Sequence, residues 1–150
     1  MSRFVFPYET LLDVRRREER AQQQMLSSLE AHRNELEGEL RQRKGFLDSN
    51  REFTRTSLTG AVDIDGLRLH AGLAVQAMRR ADSIVVQLAQ LQSRLVEARA
   101  LLVDRMRSRR AVEQLRDRML RRWKLEQDRC ERRLEDEAAM LRTTWQEALA

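Results

Sequence analysis

Apolar residues recur along this chain at alternating steps of three and four. From Leu26 the steps reach Leu29, Arg33, Leu36, Leu40, Arg43, Leu47 and Asn50, so five of the eight positions are leucine. A second series, Ile84, Leu88, Leu91, Leu95, Ala98 and Leu102, is apolar throughout. It continues as Arg105, Arg109, Val112, Arg116, Met119 and Trp123, where apolar and basic residues mix. Steps of three and four stack side chains on one helix face, and a sustained repeat of this kind is the seam of a coiled coil. Packing is therefore expected to be firmest over 84–102 and looser after it. The arginines inside the seam allow two readings. Either their long stems lie along the apolar surface with the charged heads in water, or the seam is kept weak so that it adapts to a partner.

The helix breakers all lie in the first half of the chain. Pro7 is the only proline, and the glycines are Gly38, Gly45, Gly60, Gly66 and Gly72. Pro7 suits the first turn of a helix, where its missing N–H has no partner to lose. A first helix is predicted over about 7–57, with Gly38 and Gly45 inside it at roughly 1 kcal/mol each relative to Ala. The segment Thr56 to Gly66 gathers polar, β-branched and glycine residues and marks a bend at about 58–65. Asp63 or Asp65 can accept a hydrogen bond from the free N–H groups that open a second helical arm, about 66–148. Its first apolar face reads as Leu69, Leu73 and Ala77, with a short extra helix or a kink at Asp82 and Ser83. The fold class is all-α: one antiparallel two-helix coiled-coil hairpin over 1–150, an elongated rod with helices on the order of 75 to 100 Å long. A fold-back within residues 57–82 sets Leu47 near Gln92 and Leu12 near Gln127, and uses up the first helix near Arg133. Beyond it Leu134, Ala138, Leu141, Trp145 and Leu149 form an apolar stripe, either packed within the chain or offered to a partner.

Composition narrows the function. Charged residues make up 35% of the chain and aromatics 5%, the balance of long solvated helices rather than of a sheet. Net charge is +5, but the signs are mixed except between Arg105 and Arg133, where 12 basic residues face 5 acidic ones. That run is either a solvated face or a patch for a partner. It lacks the following continuous zipper of a basic-region dimeriser, so nucleic acid is not the expected partner. A single cysteine, Cys130, excludes an intramolecular disulfide and fits a reducing compartment. Beside Arg129, Arg132 and Arg133 it reads as an inert, partly packed thiol rather than an activated one. No run approaches the roughly 18 apolar residues of a membrane span, and no signal-peptide stretch opens the chain. A cytoplasmic protein that does not span the membrane is expected. His32 and His70 are far apart, no cysteine pair or His-Glu-x-x-His is present, and no glycine-rich phosphate loop occurs. No metal, no cofactor and no enzymatic activity are expected, because a two-helix rod offers no water-excluding cleft to tune carboxylates.

Two segments carry a family resemblance. The opening Phe4-Val-Phe-Pro-Tyr-Glu-Thr-Leu-Leu12, followed by Val14-Arg15, Glu18-Glu19 and Ala21, resembles the start of FliJ proteins, components of the flagellar type III export apparatus. The run Arg110-Ala-Val-Glu-Gln-Leu-Arg-Asp-Arg118 and the acidic Glu135-Asp-Glu-Ala138 are similar to the family's later segments. The resemblance implies a stalk, shaped like the coiled coil of a rotary ATPase γ subunit, that inserts into the hexameric ring of the export ATPase. It also implies contacts with the export-gate membrane protein and with the chaperones of export substrates, at the cytoplasmic side of the membrane. On that expectation Phe4, Phe6, Leu11, Leu12, Arg15, Leu134, Asp136 and Glu137 form the ring-facing tip, and Leu69 and Leu73 face a second partner. The aromatic entry Phe4 to Tyr8 alternatively staples the helix start. The competing functional classes are a tethering coiled coil and the equivalent stalk of a virulence-type secretion system.

Overall fold

The computed structural model describes residues 3–148; Leu149, the last residue of the expected apolar stripe, lies outside the described residues. Two helices, α1 (Glu9–Ser57) and α2 (Ile64–Ala148), form an all-α hairpin, with no strand among the described residues. α2 is helical straight through Asp82 and Ser83, so no separate short helix follows the bend. The helices pack in two compact units: Arg20–Val103, and the described residues up to Glu19 together with those from Asp104 onward.

The bend is tighter than a fold-back spread over 57–82. α1 ends at Ser57, the Thr59 N–H donates to the Thr56 carbonyl (3.1 Å), and Gly60 turns the chain with φ at 100°. A side chain at that φ is strained, so Gly60→Ala is expected to lower stability by about 1 kcal/mol. Of the two candidate caps, Asp63 is the one used. Its Oδ1 accepts from the Gly66 N–H (3.1 Å) and its carbonyl from the Leu67 N–H (3.1 Å), satisfying donors that a helix start leaves open.

The early start of α2 corrects the pairing. In the 20–103 unit the cross-helix contacts are Asn50 with His70, Glu39 with Arg80, Glu30 with Arg99, and Gln22 with Ala98. Leu47 therefore lies opposite the turns around His70 to Arg80, not opposite Gln92. In the terminal unit Arg16 meets Glu113 and Glu9 meets Arg116, which places Leu12 opposite that stretch rather than Gln127. The last described contact to the segment preceding α1 is Phe4 on Trp123, ten residues before Arg133.

The core of the 20–103 unit is the predicted seam. Leu36, Ile84, Leu91 and Leu95 are buried, with Leu26, Leu29, Leu40 and Leu88 packed against them. Every seam position from Leu26 to Asn50 and from Ile84 to Trp123 is buried or half-buried. The face expected at Leu69 and Leu73 is displaced. Both are exposed, and continuing the steps of three and four back from Ile84 gives the inward positions Ala81, Ala77, Ala74, His70 and Leu67. Small alanines hold the register there, so the bulky leucines fall outside it. Arg33 and Arg43 lie half-buried along the seam and reach Glu37 (3.5 Å) and Glu39 (3.6 Å), each on their own helix. Their stems lie along the seam, but the Nε atom of each is buried without a hydrogen-bond partner among the described residues, so the guanidinium groups are only partly returned to water.

Two buried polar side chains are satisfied. Gln22 donates from Nε2 to the Ala98 carbonyl (3.1 Å), and Asn50 Oδ1 accepts from His70 Nδ1 (2.8 Å), whose ring stacks on Phe53. Such pairs fix register, because a slip leaves a buried polar group without its partner. Gly38 and Gly45 have open space where a Cβ would stand. Gly38→Ala and Gly45→Ala are each expected to raise stability by about 0.5–1 kcal/mol, read as a higher urea midpoint.

Candidate interaction surfaces

The terminal unit is assembled more by charge and aromatic contact than by a leucine core. The N-terminal segment lies against α2: Phe4 packs on Trp123 with ring centroids 6.0 Å apart, and Phe6 is buried with its ring edge-on to Tyr8 at 5.8 Å. Leu12 is 0% exposed. Of the residues expected at a partner-facing tip, Phe6 and Leu12 are thus packing residues and Phe4 is half-buried. The staple reading describes them. Leu11 remains exposed, and an open groove of about 460 Å³ is lined by Arg3, Phe4, Val5, Phe6, Glu9 and Arg116.

Where the α2 seam turns basic, α1 supplies acids. Arg105 donates to Glu18 (3.0 Å), which also accepts from Arg15 (3.0 Å). Arg109 donates to both Glu19 and Glu113, Arg16 reaches Glu113 (3.5 Å), and Arg116 lies 3.7 Å from Glu9. The Arg109, Glu19 and Glu113 side chains are largely withdrawn from solvent, which strengthens charge-assisted hydrogen bonds relative to a surface pair. This network was missed in the sequence, although its signal was present as arginines at seam positions matched by acids in the first turns of α1. Arg15 is therefore engaged within the chain. Other basic residues of the same run, Arg118, Arg121, Arg122, Arg132 and Arg133 among them, are exposed.

The network makes the unit acid-sensitive. Burial pushes the Glu113 carboxyl up, but hydrogen bonds and charge from Arg109, then Arg16, outweigh it and hold the group below its ordinary value of 4.5. The unfolded carboxyl then takes up its proton at a higher pH than the folded one. The stability it contributes is complete above 4.5 and is lost as pH falls through the lower folded value. Glu39 behaves alike, lowered chiefly by the two-pronged hydrogen bond from Arg80 (2.8 and 2.9 Å). Thermal melts should move down below pH 4.5 and hardly change from there to neutrality.

Beyond the last cross-helix contacts the chain changes character. Every residue from Asp128 to Arg142 is exposed, including Asp136 and Glu137. Leu134 is 60% exposed and Trp145 is 68% exposed, so of the two readings of this stripe the chain leaves it open. Cys130 is exposed as well, not partly packed as its neighbours in sequence suggested. Near the bend, Leu69 is 63% exposed. Leu73 borders an open groove of about 340 Å³ with Arg43, Phe46, Gln76, Ala77 and Arg80. Leu69 and Leu73 thus share one exposed region of the 20–103 unit, apart from the tip residues in sequence. Among the described residues no group of His, Cys, Asp and Glu is arranged to hold a metal ion, and no helix is long and apolar enough to cross a membrane.

With these surfaces described, the chain can be compared with known families. The family model of the flagellar FliJ protein matches residues 4–147, from the phenylalanine on Trp123 to the last turn of α2. The chain belongs to the FliJ family. No curated protein and no solved structure matches it. Membership gives this FliJ-family hairpin a role in flagellar export.

Proposed function

We propose that this FliJ-family chain is a non-enzymatic stalk of the flagellar type III export apparatus, working at the cytoplasmic side of the membrane. The C-terminal arm of α2 inserts into the ring of the export ATPase. The observation that carries the reading is the exposed stripe Leu134, Ala138, Leu141 and Trp145, on the part of α2 that follows the cross-helix contacts described above. A soluble helix bears the cost of exposing such a stripe where a partner covers it. The exposed arginines beside it favour an acidic lining and speed the encounter. Asp136 and Glu137 belong to the arm as presented residues, Leu11 is presented nearer the packed part of the unit, and Phe4, Phe6, Leu12 and Arg15 hold that packed part together. The exposed region at Leu69 and Leu73 serves the second contact, with the export-gate membrane protein, and the substrate chaperones are further partners.

Deleting Leu134 to Ala150 tests the tip assignment, because none of the cross-helix contacts described above involves a residue beyond Trp123. The truncated chain should melt like the full chain and should neither bind the ATPase oligomer nor stimulate ATP hydrolysis. Undiminished binding by a normally folded truncation defeats the assignment.

A further inference from the structure

α2 carries a second repeat of three and four on the side turned away from the seam. Starting at Met78 it runs through Asp82, Val85, Ala89, Gln92, Val96, Arg99 and Val103, and every one of these residues is exposed. A helix patterned on two faces offers a second seam to another helix.

The repeat matches its own reverse. When two such helices run antiparallel, positions that step by three and four meet in layers, and one register aligns the whole set. Met78 faces Val103, Asp82 faces Arg99, Val85 faces Val96, and Ala89 faces Gln92, each pair occurring twice about a twofold axis. Every large apolar residue then meets another, the acid meets the base, and the smallest residue sits near the crossing, where two helices approach most closely. On the flank Val86 faces Ser93 and Arg79 faces Ala100, so no like charges oppose. Asp82 has no ion-pair partner among the described residues. Arg99 spends one nitrogen on Glu30 (2.9 Å) and keeps further donors for a second carboxylate.

We propose that two copies of this chain associate antiparallel through the outward face of α2 over residues 78–103. This goes beyond the stalk reading and uses none of the tip residues. One helix against one helix over about 39 Å falls at or below the roughly 1,200 Å² that begins the range of stable interfaces. The dimer is therefore reversible, in the micromolar range, and coexists with the monomer that a stalk requires.

Paired cysteines read the register directly. In a Cys130→Ser background, Val85→Cys combined with Val96→Cys should give a covalent dimer on mild oxidation. Within one helix the two positions are about 16 Å apart, too far to bridge. Each substitution alone places the two thiols of the dimer about 16 Å apart and should give little product. Sedimentation of the unmodified chain should show concentration-dependent dimerisation, weakened at least tenfold by Asp82→Arg with helicity unchanged. A chain that stays monomeric at its highest soluble concentration overturns the proposal. So does a dimer indifferent to Asp82→Arg, or one cross-linked equally well by either single variant.

Discussion

Leu95→Ala should be among the most destabilising single changes in the chain, costing about 2–5 kcal/mol, because it deletes three buried carbons where the surroundings have little freedom to collapse. Leu95 is fully enclosed by the cluster of Leu36, Ile84 and Leu91. The neighbouring helix positions are set by Gln22 on the Ala98 carbonyl and by the ion pair of Arg99 with Glu30. The helices cannot close the gap without giving up those contacts. The loss should appear as a lower urea midpoint with an unchanged slope. Val96→Ala, one residue along on the exposed face, should shift the midpoint by less than about 0.5 kcal/mol. Equal effects of the two would mean that the seam is assigned to the wrong face.

Arg109→Ala should have the second-largest effect, and it should be local. The guanidinium bridges Glu19 and Glu113, so its removal leaves two shielded carboxylates without their shared cation. Complete burial would make the loss larger; with part of the network open to water, about 1–2 kcal/mol is expected. Amide exchange should quicken in α1 up to Glu19 and in α2 around Arg105 to Arg116. The 20–103 unit, whose core is leucine and isoleucine, should keep its protection. Arg109→Lys should recover only part of the loss, since an ammonium lacks the planar fork that serves two carboxylates at once.

Much of this architecture was legible because it rests on one strong signal. The repeat from Leu26 to Asn50 and from Ile84 to Trp123 marks inward positions, including the arginines, since the heptad spacing decides which side faces the partner whatever residue stands there. The bend composition and a cap at Asp63 or Asp65 follow from local backbone chemistry, and only the Gly66 N–H on the Asp63 carboxylate decides between the two. Leu69, Leu73 and Ala77 read as one apolar face, while the repeat itself runs through Ala81, Ala77, Ala74 and His70, so of the three only Ala77 belongs to the seam. Pairing across the hairpin was misplaced because a bend of six residues and one of twenty share their polar composition but differ in the partner they assign to every later residue. Of the residues expected at the tip, Leu134, Asp136 and Glu137 are exposed, whereas Leu12 is buried and Phe6 is buried with its ring against Tyr8. Hydrophobicity alone carries no mark that separates a residue held inside from one held out for a partner.

On the stalk proposal, the arm of α2 beyond the cross-helix contacts described above is the part that enters the export ATPase ring. A photo-cross-linking residue placed in turn at Leu134, Leu141 and Trp145, and at Val96 and Leu69 as sites away from the arm, tests it with the fold intact. The account predicts ATPase adducts from the three arm positions and none from the other two. Adducts from Val96 or Leu69 with none from the arm would contradict it.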